Sequence, residues 1–236
     1  MHIKTQMKKA VIALLLLPTL SFANTEVHLD KAPIDASNHA SLQRGARTFI
    51  NNCLNCHSAN FMRYSRLQDI GLTEKQIKEN LLFTAEKVGD PMTAAINKND
   101  AKKWFGVAPP DLSVEVRARG ADWVYTYMRS FYRDSTRPSG WNNLVFDKAA
   151  MPHVLYELQG EQALDHETHT LNLVKPGKMS AEEYDVFVGD LTNFMAYMAE
   201  PAKQQRNHLG WFVLLFLGVL LILTIKLKKA YWKDIH

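Results

Sequence analysis

The sequence predicts a mainly α-helical domain that is exported and then held at a membrane by a single C-terminal transmembrane helix. Three observations predict this: an apolar stretch behind N-terminal lysines, a long uncharged segment near the C-terminus, and apolar residues at helical spacing between them. The chain has 236 residues and 47% hydrophobic content, which is enough for one packed domain besides the terminal segments.

The N-terminal segment, residues 1–23, is typical of a secretory signal peptide. Lysines precede an apolar stretch at 10–17, and Ser21-Phe22-Ala23 forms a small-x-small cleavage site. A short membrane anchor is the alternative, but the apolar stretch is too short to span hydrocarbon comfortably. We therefore expect the mature chain to begin near Asn24.

The C-terminal segment is predicted to span a membrane. Residues 209–225 carry no charge and are just long enough to cross a bilayer as a helix, and lysines and aromatic residues follow them. A buried core helix is the alternative, but this segment is apolar on every face. The positive-inside bias then predicts a domain at 24–208 outside the cytoplasm, a transmembrane helix at 209–227 and a cytoplasmic tail at 228–236.

The charge of the exported domain excludes one class of partner. Residues 24–208 contain 21 Lys and Arg against 23 Asp and Glu, a balance of −2, although the whole chain carries +4. A mildly acidic domain does not predict nucleic-acid binding. The two cysteines lie in one short motif, so a disulfide framework is not expected.

Four helices are predicted within the domain. Apolar spacing indicates the first at 37–53, and the second and fourth begin at capping boxes, Thr73 with Gln76 and Ser180 with Glu183. Trp123 to Phe131 marks the third, and the fourth ends at Glu200-Pro201. Residues 134–178 show turn residues and no helical period, which favours a long irregular segment that binds something.

The motif Cys53-Leu54-Asn55-Cys56-His57 carries the chemistry. C-x-x-C-H is the attachment signature of c-type haem, in which two thiols bond to the vinyl groups and the imidazole ligates the iron. A thioredoxin-like redox pair would need a βαβ context, and a zinc site would need a second pair of ligands. The sequence therefore predicts one covalently attached haem.

The sixth iron ligand is less determined by the sequence. Methionine favours a high potential, and nine methionines are present, most of them on apolar helix faces. Met151 differs because it lies in the irregular segment and Pro152 follows it. Met179, Met92 and His153 remain alternatives.

Two charged segments and one aromatic segment are further candidates for contact with the haem or with a redox partner. Arg117 and Arg119 are candidates for pairing with haem propionates, and Pro109-Pro110, which follows Trp104-Phe105-Gly106, could wall an apolar cofactor. The acidic residues of 157–167 predict either a solvated loop or a surface that steers a basic redox partner.

With these motifs in view, the chain resembles cytochrome c1, the membrane-anchored haem subunit of the ubiquinol:cytochrome c oxidoreductase (cytochrome bc1) complex, in its bacterial type. The likeness covers nearly the whole mature chain: CLNCH at 53–57, DAKKWFGVAPPDLSVEVRAR at 100–119, the segment 123–132, Met151-Pro152, and YDVFVGDLTNFMAYMAEP at 184–201.

The resemblance implies a cytochrome c-like fold and a set of residue roles. Cys53 and Cys56 would bind the haem, His57 and Met151 would be its axial ligands, and Arg119 would meet a propionate. Electrons would come from the Rieske iron-sulfur protein and leave to a cytochrome c, with the anchor packed beside cytochrome b in a dimeric complex. The haem domain would lie in the periplasm, on the inner membrane of a bacterium.

The chain departs from the family pattern at the proposed methionine ligand. That methionine is commonly followed by a proline pair, whereas His153-Val154 follows Pro152 here, and the cysteine pair that bridges this loop in some bacterial members is missing. Side-chain packing must then hold the loop that carries Met151.

Three functions are compared on this basis. An electron-transfer subunit of a quinol-oxidising complex performs no bond chemistry itself. A free-standing membrane-tethered cytochrome shuttle would share the motif and the anchor. A haem enzyme such as a peroxidase would need an open iron position and a distal His or Arg, for which His153 is the candidate.

Overall fold

The computed structural model describes residues 27–233, so the predicted signal peptide at 1–23 lies outside the described residues. The haem-motif region is preceded by α1, and a long pair of helices closes the chain. The helices are α1 His39–Asn52, a 3-10 helix Tyr64–Ile70, α2 Glu74–Asn80, α3 Lys98–Phe105, α4 Glu115–Arg119, α5 Ala121–Arg129, α6 Tyr156–Gln159, α7 Ala181–Ala199 and α8 Lys203–Tyr231.

Two of the predicted helix starts are confirmed atom by atom. At both Thr73 and Ser180 the side chain accepts the backbone N–H of the third helical residue, and the side chain of that residue, Gln76 or Glu183, accepts the cap's own N–H. Each box satisfies two backbone donors that the helix itself cannot pair. Local sequence therefore determines where α2 and α7 begin.

The crossing of α1 and α7 forms the centre of the fold. Gly45 of α1 lies directly against the backbone of Asp190 in α7, and Phe49 meets Phe194 with ring centroids 5.8 Å apart. Beside this contact, Nε and Nη2 of Arg44 donate to the two carboxylate oxygens of Asp190 at 2.6 and 3.0 Å. A glycine allows the close approach, and a bidentate ion pair fixes the register of the two helices.

One large apolar core surrounds this crossing, and a small second cluster lies beside it. The large core contains fully buried residues of α1, the 3-10 helix and α7, among them Leu42, Leu67 and Val188. The second cluster consists of Phe131, Trp141 and Ala149, with Tyr127 and Met151 packed against it. Met151 also packs against the large core, so it lies at the junction of the two.

The sequence interpretation of residues 134–178 was partly wrong, because the segment contains regular β structure. Each described sheet has two antiparallel strands: β1 Ala59–Arg63 with β2 Pro91–Met92, β3 Phe131–Arg133 with β4 Trp141–Asn143, and β5 Gly160–Asp165 with β6 Thr170–Pro176. β6 is largely exposed and β5 is half-buried along most of its length, so the hairpin lacks the alternation of buried and exposed residues that reveals a strand in a sequence.

The C-terminal helix α8 has the properties of a membrane span. It contains 29 residues, an 18-residue window with a mean hydropathy of 2.4, and no part of that window buried inside the protein. A helix of this length reaches beyond a hydrocarbon core about 30 Å thick. The predicted span at 209–227 lies wholly within it.

Candidate haem site

The C-x-x-C-H motif leaves the end of α1 in a tight turn. The N–H of Cys53 still donates to Phe49 O at 2.9 Å, and the N–H groups of Cys56 and His57 both donate to Cys53 O, at 3.1 and 2.9 Å. Within the described residues both thiols are free and half-buried. The turn thus presents two thiols and an imidazole from one short segment.

The imidazole of His57 is held by a backbone carbonyl that sequence reasoning did not identify. Nδ1 of His57 lies 2.9 Å from Pro110 O, so Nδ1 carries the proton and Nε2 is the nitrogen available to iron. The Pro110 segment is itself fixed, because Leu112 N–H donates to Ser58 O at 2.8 Å and Asn60 N–H donates to Asp111 Oδ2 at 2.9 Å. A carbonyl belongs to every residue, so no side-chain signal could have indicated this role.

The electrostatics of the motif favour uncharged groups. Burial lowers the pKa of His57, although the bond to Pro110 and the nearby carboxylates of Glu115 and Asp111 oppose this shift. Burial, with a smaller effect of Cys56, raises the pKa of the Cys53 thiol to about 12. A neutral imidazole with a hydrogen-bonded Nδ1 is the form that ligates a metal, so these donors fit a c-type haem.

Met151 lies on an irregular segment between β4 and α6, and we call residues 149–155 the ligand loop. Met151 is half-buried, at the junction of the two apolar clusters. Of its alternatives, Met92 is fully buried in the large core, and Met179 is half-buried just before α7.

His153, the third alternative, is enclosed by aromatic side chains. Only 2% of it is exposed; its ring stacks on Phe131 at 5.0 Å and 4°, and meets Trp141 edge-on at 5.1 Å. Both ring nitrogens are buried and make no hydrogen bond to any residue that the structure describes. Burial lowers the pKa of His153 to about 4; the nearby Gln159 opposes the shift without completing a hydrogen bond.

Arg119 lies in an aromatic and acidic environment. Its guanidinium pairs with Glu115 one turn earlier at 2.5 Å and lies 4.4 Å above the ring centroid of Trp123. A second aromatic ring, Phe146, lies 5.5 Å away. Arg119 nevertheless remains 42% exposed, which leaves donor groups accessible.

Two of the four acidic residues of 157–167 are paired with cations. Glu157 pairs with Lys178 at 2.7 Å, and Glu161 pairs with Arg133 at 2.8 Å and with Lys175 at 3.1 Å. Asp165 instead accepts the backbone N–H groups of Glu167 and Thr168. Because 156–159 form α6 and 160–165 form β5, the segment is not the irregular loop that the sequence predicted, and its negative charge is partly compensated.

A half-buried C-x-x-C-H turn with a carbonyl-held imidazole, in a chain that also has an apolar C-terminal helix whose span is not buried among the described residues, defines a membrane-anchored c-type cytochrome. Comparisons with known proteins agree. The family model described as Cytochrome C1 family matches residues 29–235. Cytochrome c1 of Allochromatium vinosum is 49% identical over 98% of this chain and 100% of its own.

Other relatives extend the comparison. The ammonia monooxygenase gamma subunit of Nitrosomonas europaea is 56% identical over 97% of this chain and 98% of its own. Cytochrome c1 of Rhodospirillum rubrum is 29% identical over 82% and 81%. A chain of the hyperthermophilic respiratory Complex III aligns with 100% of this chain and 99% of its own, at 16% identity and a TM-score of 0.43.

The chain belongs to the cytochrome c1 family. It is a membrane-anchored electron-transfer subunit of the cytochrome bc1 complex, it carries one covalently bound c-type haem, and it is not catalytic by itself. The predictions of family, fold class, function and cofactor are confirmed.

Proposed function

We propose that the haem domain, residues 24–208, faces the periplasm of a bacterium, receives an electron from the Rieske iron-sulfur protein and passes it to a cytochrome c. A transmembrane helix at 209–227 and a cytoplasmic tail at 228–236 complete the topology. The observation that carries the proposal is the bond between His57 Nδ1 and Pro110 O beside two free thiols. It presents an iron ligand of defined tautomer next to the two attachment points.

The residue roles follow from chemistry and position. Cys53 and Cys56 form the thioether bonds, His57 Nε2 ligates iron on the proximal side, and Met151 supplies the sixth ligand. The bound haem supplies a one-electron couple, and the thioether of Met151 favours its ferrous state. Burial of Met92 and the half-buried position of Met151 support this choice of ligand.

The enclosure of His153 argues against an enzyme with an open iron position. A distal acid–base group must reach a substrate, whereas this ring is 2% exposed and stacked on Phe131. With His57 and Met151 as the proposed iron ligands, the chain would hold the haem and set its potential.

Co-purification tests the assignment to the complex. We expect a tagged chain, purified from native membranes in mild detergent, to give b-type bands together with its c-type band in a reduced-minus-oxidised spectrum. Cytochrome b, the Rieske protein and a second copy of each subunit should be present in the same particle. A c-type band alone would contradict the proposal and favour the free-standing shuttle.

The name of the Nitrosomonas europaea relative supplies a second candidate, a subunit of an ammonia monooxygenase. The same purification separates the two. Ammonia-oxidising polypeptides in the particle, without b-type haem, would favour the second candidate, and b-type haem without them would favour the first.

Two substitutions test the haem ligands separately. Met151→Leu is expected to lower the haem potential while the haem stays attached, because the stabilisation of ferrous iron by sulfur is lost. Cys53→Ser is expected to remove most haem stain from the band in a denaturing gel. A normal potential in the first variant, or a normal stain in the second, would contradict the corresponding role.

Arg119 and Arg117 form a matched pair on α4. We expect Arg119→Gln to lower the haem potential, because loss of a cation beside the propionates favours the oxidised, more positive state. Arg117→Gln removes the same charge from the same short helix and should change the potential less. Equal shifts would contradict a specific role for Arg119.

Protease accessibility tests the orientation. In intact spheroplasts we expect an added protease to cleave the haem domain and to leave a C-terminal tag protected. Digestion of the tag with an intact haem domain would reverse the topology.

A further inference from the structure

The ligand loop lacks the covalent and conformational restraints that fix such segments. The chain has two cysteines, both in the haem motif, so no disulfide closes the loop. Pro152 restricts one φ angle only. Met151 must nevertheless be held near one geometry, because a thioether is a weak ligand and the coordination distance is short.

His153 is a buried residue two positions after Met151, and Ala149 is a buried residue two positions before it. Two residues of extended chain span at most about 7 Å, so the position of His153 confines Met151 to that radius. The ring is clamped on two sides, by Phe131 in a parallel stack and by Trp141 edge-on. Phe131 is fully buried and Trp141 is 5% exposed, so both walls of the clamp belong to the interior.

The walls of the clamp are themselves fixed. Phe131 and Trp141 lie on β3 and β4, which pair through Phe131 with Asn143 and Arg133 with Trp141. Asn143 donates to Tyr127 O at 2.8 Å and its Oδ1 accepts from the N–H groups that follow in the chain. The clamp is therefore a rigid part of the fold to which the ligand loop is attached.

The imidazole acts in this clamp through its shape. Neither ring nitrogen completes a hydrogen bond among the described residues, although Gln159 lies nearby, and one face of the ring stacks on Phe131. A flat ring of similar size should therefore replace it, whereas a methyl group should not.

We propose that His153 is a positioning residue for the iron ligand Met151: its ring, clamped between Phe131 and Trp141, holds the ligand loop in place of a disulfide. The inference rests on the proposed ligation by Met151. It predicts that the stability of the Met–iron bond depends on the ring at 153, although His153 is not one of the proposed iron ligands.

The test compares His153→Ala with His153→Phe in the haem-loaded full-length chain, purified in detergent. The readouts are the red charge-transfer band of a Met-ligated ferric haem, the haem potential, and carbon monoxide binding to the ferrous haem. We expect His153→Ala to weaken the band, lower the potential and bind carbon monoxide about tenfold or more tightly, as loss of an outer-shell partner weakens a metal–ligand bond. His153→Phe should retain the wild-type band and potential.

Two further variants keep the result interpretable. Ile70→Ala opens a cavity in the large core, within the 3-10 helix, and should leave the band and the potential unchanged even if stability falls. Met151→Leu should abolish the band altogether. If it does not, the proposed ligand is wrong, and that failure is distinct from failure of the positioning role.

The remaining outcomes overturn the inference. If Met151→Leu abolishes the band but His153→Ala keeps a wild-type band, potential and carbon monoxide affinity, His153 has no positioning role. If His153→Phe loses the band as fully as His153→Ala, the stacked shape does not explain the effect. An equal loss in Ile70→Ala would show that general destabilisation releases the ligand.

Discussion

Gly45→Ala tests the close approach of α1 to the backbone of α7. An alanine Cβ at this position would lie 2.0 Å from Asp190 O and 2.7 Å from Phe194 Cβ. An ordinary contact begins at 3.4 Å, so α1 and α7 would have to separate by about 1.4 Å, the difference between 3.4 and 2.0 Å. The obstructing atom belongs to helix backbone and cannot rotate away.

The expected loss of stability follows from two opposing effects. Overpacking a core costs typically about 1–3 kcal/mol, and contact with a fixed carbonyl places this site at about 3 kcal/mol. Replacing a helical glycine by alanine stabilises the folded state by about 1 kcal/mol, because alanine loses less backbone entropy on folding. The net change of about 2 kcal/mol corresponds to a lower Tm by about 4–8 °C for a domain of this size.

The assay is thermal unfolding of the haem-loaded chain in detergent, followed by near-ultraviolet circular dichroism. Arg47→Ala is the matched control, because Arg47 is exposed on the same helix and the change also introduces alanine. We expect the Tm of the control to stay close to that of the wild type. A Tm of Gly45→Ala equal to or above that of the wild type would refute the close approach of α1 and α7.

Three further predictions concern polar contacts. Tyr184→Phe should destabilise the domain by about 1–2 kcal/mol, because Tyr184 Oη donates a hydrogen bond to the buried Met128 O at 2.9 Å. The measurement is a denaturant titration, and an unchanged midpoint would contradict this bond. Asp190→Asn should lower the free energy of unfolding by about 1 kcal/mol in the same titration. The effect is small because the arginine partner, Arg44, is more than half exposed to solvent. A midpoint at or above that of the wild type would exclude a stabilising ion pair. Glu161→Gln should lower the Tm at pH 7, and the difference should vanish toward low pH. Hydrogen bonds from an arginine and a lysine lower the pKa of Glu161 from 4.5 to about 2. Its contribution to stability is therefore complete above pH 4.5 and is lost as the pH falls to about 2. A Tm difference that persists unchanged at pH 3 would contradict this assignment.

The sequence by itself determined the features that depend on short-range chemistry. Spacing alone defines the haem-attachment motif Cys53-Leu54-Asn55-Cys56-His57, because thioether attachment and ligation need these atoms within one turn. The capping boxes at Thr73 and Ser180 mark helix starts, because each is completed within four residues. The apolar C-terminal span is equally local, since the membrane replaces tertiary partners.

Only the tertiary structure decided the features that depend on residues far apart in the chain. The carbonyl of Pro110 that holds His57 is 53 residues away, and a backbone atom carries no signature of its role. The carboxylate of Glu161 meets Arg133 only in the folded chain, because the two residues are 28 positions apart. His153 looked like a candidate ligand from its place beside Met151, and its burial between Phe131 and Trp141 became visible only when β3 and β4 paired. The physical reason is that packing and charge neutralisation act between neighbours in space, whereas motifs and caps act between neighbours in sequence.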